Sequence, residues 1–128
     1  MATWNLNNTT HHVLICNGSS CTHVGAEDLT QEIRREISER GLDDRIHTTR
    51  TRCNGRCHDK CVVINYPQGH WYKELLPEDA PLFIDSLLDN EDHTGKISHS
   101  YNGQGFERSP DVATGISKNR EKVNKMSK

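Results

Sequence analysis

Cys53-Asn-Gly-Arg-Cys57-His-Asp-Lys-Cys61-Val-Val-Ile-Asn-Tyr66-Pro67-Gln68-Gly69-His70-Trp71-Tyr72 is the stretch that orders the rest of the chain. Its first eight residues are polar, contain glycine and show no period, so they read as a loop. Cys61 to Tyr66 is apolar and β-branched and reads as a strand. Pro67-Gln68-Gly69 is turn chemistry, and His70 to Leu75 reads as the returning strand of a hairpin. A loop carrying a C-x3-C pair therefore feeds directly into a hairpin.

The chain upstream repeats the arrangement. His12 to Cys16 is a short apolar run, readable as a buried strand, and Asn17 to Ser20 supplies a loop that ends on a second cysteine, Cys21. From about Gly25 to Arg40, Leu29, Ile33 and Ile37 recur every four residues among Glu27, Asp28, Glu32, Arg35, Glu36 and Glu39, which predicts an amphipathic helix. Its acidic first turn and late arginines suit the helix dipole, and Gly41 is a fitting stop. Asp44 to Thr51 is rich in β-branched residues and reads as a strand with one solvated face.

Downstream, Pro77 to about Leu88 predicts a second helix with Ala80, Phe83, Ile84, Leu87 and Leu88 as its apolar face. Pro81 fits only near its first turn. After Leu88 the character changes to Gly, Ser, Asn, Lys and His with isolated apolar residues. Residues 89–128 are expected to form a polar, disordered tail, with Tyr101 and Phe106 around Asn102-Gly103-Gln104-Gly105 as a short docking element. The domain expectation is an arm at 1–10, one domain at 11–88 and the tail at 89–128. The fold expectation is α/β, β-α-β-β-β-α. A right-handed crossover unit makes the first two strands parallel, the hairpin extends the sheet antiparallel, and the last helix covers a mixed four-stranded sheet.

Bulk numbers fit one small domain. The chain has 128 residues, 32% of them hydrophobic, and a net charge of -2, with a mean hydropathy of -0.84. Near-neutral charge argues against a chain built to coat nucleic acid. No apolar run approaches the ~20 residues that cross a bilayer, and Met1 to Asn8 lacks the pattern of a secretory leader. A cytoplasmic protein is expected, with no nucleic acid and no membrane as partner. Thiols stay reduced in that compartment, so five cysteines in two close groups point to metal or redox chemistry before disulfides.

Cys16 and Cys21 make a C-x4-C pair, and Cys53 and Cys57 a C-x3-C pair. Both pairs follow predicted strands. The carboxyl ends of parallel strands lie on one edge of a sheet, so the two loops converge although a helix separates them in sequence. A 2Fe-2S cluster has two tetrahedral irons bridged by sulfide, and each iron needs two further ligands, usually thiolates. Two pairs on adjacent loops meet that need, and Gly18 and Gly55 let backbone amides approach sulfur. Zinc is the competing occupant on spacing: four cysteines close a zinc site, with His23 or His58 as substitutes. Zinc pairs are usually C-x2-C, and neither pair here is. A thioredoxin-type disulfide enzyme would need the same C-x-x-C spacing.

At these residues the sequence resembles the thioredoxin-like 2Fe-2S ferredoxins, a family that includes the small iron–sulfur subunit of NADH dehydrogenases and hydrogenases. The resemblance covers Val13 to Leu88. Cys16 and Cys21 match the first pair, Val24 to Leu29 the helix start, Cys53 and Cys57 the second pair, Tyr66 to Tyr72 the hairpin turn, and Leu76-Pro77-Glu78-Asp79 the start of the last helix. More finely, the chain looks like small ferredoxin-like proteins of bacilli associated with cobalamin biosynthesis. The resemblance implies a thioredoxin-like fold and one 2Fe-2S cluster held by Cys16, Cys21, Cys53 and Cys57. It implies a one-electron carrier between redox partner proteins, not an enzyme, with cobalamin or other cofactor biosynthesis as a setting. The alternative class is a metal-binding or delivery protein carrying zinc, cobalt or an iron–sulfur cluster for transfer. Cys61 departs from the family pattern and is expected as a buried strand thiol, with a ligand or a redox-active fifth thiol as the alternatives.

Arg45, Arg50, Arg52, Arg56 and Lys60 surround the second pair, with His47 and His58 among them. Arg52 and Arg56 are expected as charges that favour a reduced cluster and steer an acidic partner. Arg45 is expected as a solvated face. His11, His12, His93 and His99 are candidates for a transition metal and read in preference as exposed polar residues in flexible segments. Trp71 and Tyr72 alternate, so one packs inward and the other offers a surface for a homodimer contact.

Overall fold

The structure is a computed structural model and describes residues 2–126. Six strands form a single sheet in the order β2-β1-β3-β4-β5-β6. β1 (His11–Cys16) and β2 (Ile46–Thr51) pair in parallel, with Cys16 opposite Thr51. The crossover between them holds a short helix, α1 (Ser19–His23), and the amphipathic α2 (Ala26–Glu39). β3 (Val63–Tyr66) runs antiparallel to β1 and turns into β4 (His70–Tyr72).

Alternation along the strands sorts the sheet into two faces. Val13, Ile15, Val63 and Tyr72 are buried on one face, under α2 and α3 (Ala80–Asp89). The predicted stripe of Leu29, Ile33 and Ile37 lies wholly inside, as do Phe83, Ile84 and Leu87 from α3. Each large side chain buried in this way stabilises the fold by roughly 1.5–3 kcal/mol. Tyr72 meets Phe83 edge-on at a centroid distance of 5.0 Å. The other face carries a row that crosses all the described strands. Across it, Thr49, Leu14, Ile64, Trp71, His99 and Arg108 stand in register, one from each strand.

The strand count corrects the four expected. Residues 97–108, expected as part of a disordered tail, form the hairpin of β5 (Ile97–Tyr101) and β6 (Phe106–Arg108), which extends the sheet beyond β4. Ile97-Ser-His-Ser-Tyr101 lacks the apolar alternation of a strand, and its order comes from its neighbours. Ser98, 1% exposed, donates its hydroxyl to the Trp71 carbonyl at 3.2 Å. Phe106 packs edge-on against Tyr101 and Trp71, at centroid distances of 5.4 and 6.1 Å. Gly69 fixes the approach: a Cβ there would fall 2.7 Å from Tyr101 Cβ, and its φ is +76°. After β6 the chain folds back through the buried Val112, and the described residues end in α4 (Arg120–Met126).

Candidate cluster site

β1 and β2 end side by side, and each strand end delivers one cysteine loop. The loops are pinned where they start. The Asn17 amide donates to the Thr51 carbonyl at 2.8 Å, and the Cys16 amide to the Val62 carbonyl at 3.0 Å. Asn54 donates through Nδ2 to Thr51 Oγ1 at 2.7 Å and to the Arg52 carbonyl at 3.2 Å. Gly18 sits where the loops touch: a Cβ would lie 2.8 Å from Cys53 Cα and 2.9 Å from Cys53 Cβ. Only a residue without a side chain allows that approach.

The four predicted cysteines line one cleft of about 30 Å³. Cys16 and Cys21 are 3% and 2% exposed, whereas Cys53 and Cys57 are exposed. Cys53 Sγ lies 3.5 Å from Cys57 Sγ and accepts a hydrogen bond from the Gly55 amide at 3.3 Å. Cys21 rides on α1, a turn of helix that sequence reading took for loop. Cys61 does not line the cleft. It is 3% exposed, and its thiol points to the Cys21 carbonyl at 3.6 Å; it is buried as expected, but lies two residues before β3 rather than within the strand.

The electrostatics favour the thiolate at Cys16 and oppose it at Cys21, Cys53 and Cys61. Burial opposes the Cys16 thiolate, but the Gly18 and Asn54 amides, with the Cys21 thiol and the Asn54 side chain, outweigh it and hold the Cys16 thiol below the usual range. Burial pushes the Cys21 thiol up to about 12, with the Cys16 sulfur adding to the rise. At Cys53 the Gly55 amide favours the thiolate, and the Cys57 sulfur and burial together outweigh it. Burial likewise pushes the Cys61 thiol up. Among the described residues no three His, Cys, Asp or Glu side chains gather around one metal position; the thiols come as two pairs. Paired thiols, a glycine-tight junction and aimed amides are a donor set that fits a two-iron centre.

Two of the arginines near the second pair are held by carboxylates. Arg50 is bound at two points by Glu27, both 2.8 Å. Arg56 lines the cleft with the four cysteines and is itself ion-paired. Its Nε lies 2.7 Å from Asp59 Oδ2, with side chains 16% and 4% exposed, and its Nη2 donates to the Ala113 carbonyl at 2.7 Å. Arg52, His58 and Lys60 are exposed, as is Arg45. Sequence reading missed the roles of Asn54, Asp59 and Ala113. Nothing local marks Ala113, which meets Arg56 only through the fold.

Fold and site together define a thioredoxin-like α/β protein with a paired-thiol centre at the carboxyl ends of its parallel strands. The thioredoxin-like [2Fe-2S] ferredoxin from Aquifex aeolicus superposes with a TM-score of 0.66 at 23% identity, over 76% of this chain and 97% of that one. A second structure of it, the wild type, gives 0.62 at 24% identity, over 70% and 96%. In sequence, a Priestia megaterium protein described as a 2Fe-2S ferredoxin is 53% identical over 88 residues, 69% of this chain and 68% of that one. A Clostridium pasteurianum ferredoxin, 2Fe-2S, is 25% identical over 91 residues, 65% and 89%. No family model matches. The chain belongs to the 2Fe-2S ferredoxin family.

Proposed function

We propose that this chain is a one-electron carrier that holds one 2Fe-2S cluster through Cys16, Cys21, Cys53 and Cys57. The observation that carries the reading is the pairing of the thiols, one pair from each converging loop, around a single cleft. When bound, the cluster supplies a one-electron couple. The chain's own part is to bind and to tune. Cys16 and Cys21, in the core, would hold the inner side of the cluster and Cys53 and Cys57, at the surface, its outer side, and the amides of Gly18, Asn54 and Gly55 would offset negative charge on sulfur. No substrate would be turned over.

The exposure of Cys53 and Cys57 also favours, as a second reading, a protein that hands its metal or cluster to another. Iron and acid-labile sulfide measured after anaerobic purification separate the possibilities. About two of each per chain, with a red-brown colour that bleaches reversibly on reduction, is the expected result. Zinc in place of iron, or colour lost in one irreversible transfer, overturns the carrier reading.

The finer setting is likewise proposed. Redox partner proteins in cofactor biosynthesis, cobalamin included, are the partners that the resemblance supplies. The edge of the sheet where Tyr101 and Phe106 are each 48% exposed is the surface that supports a homodimer. No described helix is long and apolar enough to cross a membrane, and a cytoplasmic setting is proposed with that. Residues 11–88 are proposed as the cluster-bearing unit, with 1–10 as an arm and 89–128 as a segment serving contacts rather than ligation.

A further inference from the structure

The C-terminal segment folds back onto the second cysteine loop. Arg108 starts the return by donating through Nη1 to the Val112 carbonyl at 2.6 Å, and Val112 is 4% exposed. Ala113 then receives the Arg56 guanidinium at 2.7 Å, and a Cβ on Gly115 would come within 3.2 Å of Arg56 Nη1. Arg56 is itself held by the buried Asp59, two residues after Cys57. The return path is thus tied to the turn that carries a proposed cluster ligand.

Between this path, α4 and the loop lies an open cleft of about 600 Å³, with Cys57 and His58 on one side and Ile116, Lys118, Lys122 and Val123 on the other. Ile116 is 62% exposed and Val123 42%. Exposed apolar surface ringed by charge marks an interaction site more often than isolated apolar residues do. The charge is one-sided. Residues 109–128 carry five Lys or Arg against two Asp or Glu, whereas residues 1–108 carry eleven against sixteen. Cys16 and Cys21 are buried, so the exposed side of the site is that of Cys53 and Cys57, and this cleft opens on Cys57.

We propose that this cleft is where the electron-transfer partner docks, and that the partner is an acidic protein presenting an apolar side chain flanked by carboxylates. The proposal rests on the one-electron-carrier reading. The apolar anchor would cover Ile116 and Val123, the carboxylates would meet Lys118 and Lys122, and Arg56 holds the cleft wall in place without spending its charge on the partner. One electron then leaves the reduced protein, which is oxidised, and the acceptor is reduced by one, with no bond made or broken.

The test reverses charge in the full chain with Lys118→Glu and Lys122→Glu together, and removes the anchor seat with Ile116→Ser. Arg45→Glu, at the far edge of the sheet, is the control. Two probes are used. The first is a fluorescein-labelled peptide of glutamates around one leucine, followed by anisotropy. The second is the oxidation of the reduced protein by anionic hexacyanoferrate(III) and by cationic hexaamminecobalt(III). The native chain is expected to bind the peptide more weakly as salt is added. The reversal should weaken that binding at least severalfold, slow oxidation by the anion and speed oxidation by the cation; Ile116→Ser should weaken the peptide alone. The docking proposal is overturned if the reversal moves binding and both rates no further than Arg45→Glu does. Peptide binding needs no cluster, so a chain without iron and sulfide defeats the carrier reading in a separate measurement.

Discussion

Gly18 and the five thiols set the chemistry at the scale of single residues. A methyl group at Gly18 would meet Cys53 Cα, a backbone atom that yields only if the loops part. Gly18→Ala is expected to cost about 1–3 kcal/mol, the usual range for overpacking, and to lower iron content, read by thermal melting and metal analysis. An unchanged melt with full iron would mean that the loops are looser than this contact implies. Among the cysteines the prediction divides by placement. Cys16→Ala, Cys21→Ala, Cys53→Ala and Cys57→Ala should each lose visible absorbance, whereas Cys61→Ala should keep the spectrum, since its sulfur faces the Cys21 carbonyl and not the cleft. A colourless Cys61 variant beside a normally coloured Cys57 variant would reassign the fourth ligand.

The elements show how far local pattern reaches. α2 was legible because Leu29, Ile33 and Ile37 repeat at helical spacing, and β3 because Val62, Val63 and Ile64 make an apolar, β-branched run leading into it; both signals are intrinsic to the segment. The convergence of the loops was legible because a parallel crossover leaves little freedom. β5 and β6 were not. Ile97-Ser-His-Ser-Tyr101 becomes a strand through what it lies against, namely the free edge of β4 and the rings of Trp71 and Phe106. The same reason hid Arg56, whose partner Ala113 is 57 residues away. Truncation after Asn90 therefore has a different expected outcome from that of a disordered tail. It bares the β4 edge and uncovers Trp71, and should lower the melting temperature by roughly 5 °C or more, about 1 kcal/mol in a domain of this size. Equal melting of the full and shortened chains would show that the hairpin adds nothing.

Acid response belongs to the molecule as a whole. Burial lowers the proton affinity of His11, of His12 with His47 adding to the effect, and of His99, where Arg56 and Arg108 add to it. A histidine whose folded pKa lies below its unfolded value near 6.5 favours the native state above that value, and the benefit is lost as pH falls through the folded pKa. Glu27 acts in the same direction lower down. Its hydrogen bonds from Arg50 hold its carboxyl at about 2, so its contribution is complete above the ordinary carboxylate range and fades below it. Stability should therefore decline in two stages, the first starting near pH 6.5 and the second below about pH 4.5. Urea midpoints followed by circular dichroism at a series of pH values measure this, and His12→Gln should shrink the first stage only. A midpoint that is flat from pH 7.5 to 5.5 would count against the histidine argument.

The two tryptophans occupy opposite circumstances, and that gives the protein a built-in optical gauge. Trp4 stands 71% exposed on the N-terminal arm, while Trp71 sits within the sheet, its indole nitrogen shut away from solvent and flanked by His99 and Phe106. Their fluorescence should separate, with a red-shifted, iodide-quenchable part from Trp4 and a bluer, protected part from Trp71. A coloured centre in the thiol cleft absorbs where indole emits and would dim the protected part by energy transfer. The blue emission then becomes a continuous meter of occupancy, readable in dilute solution without chelator, label or titrant.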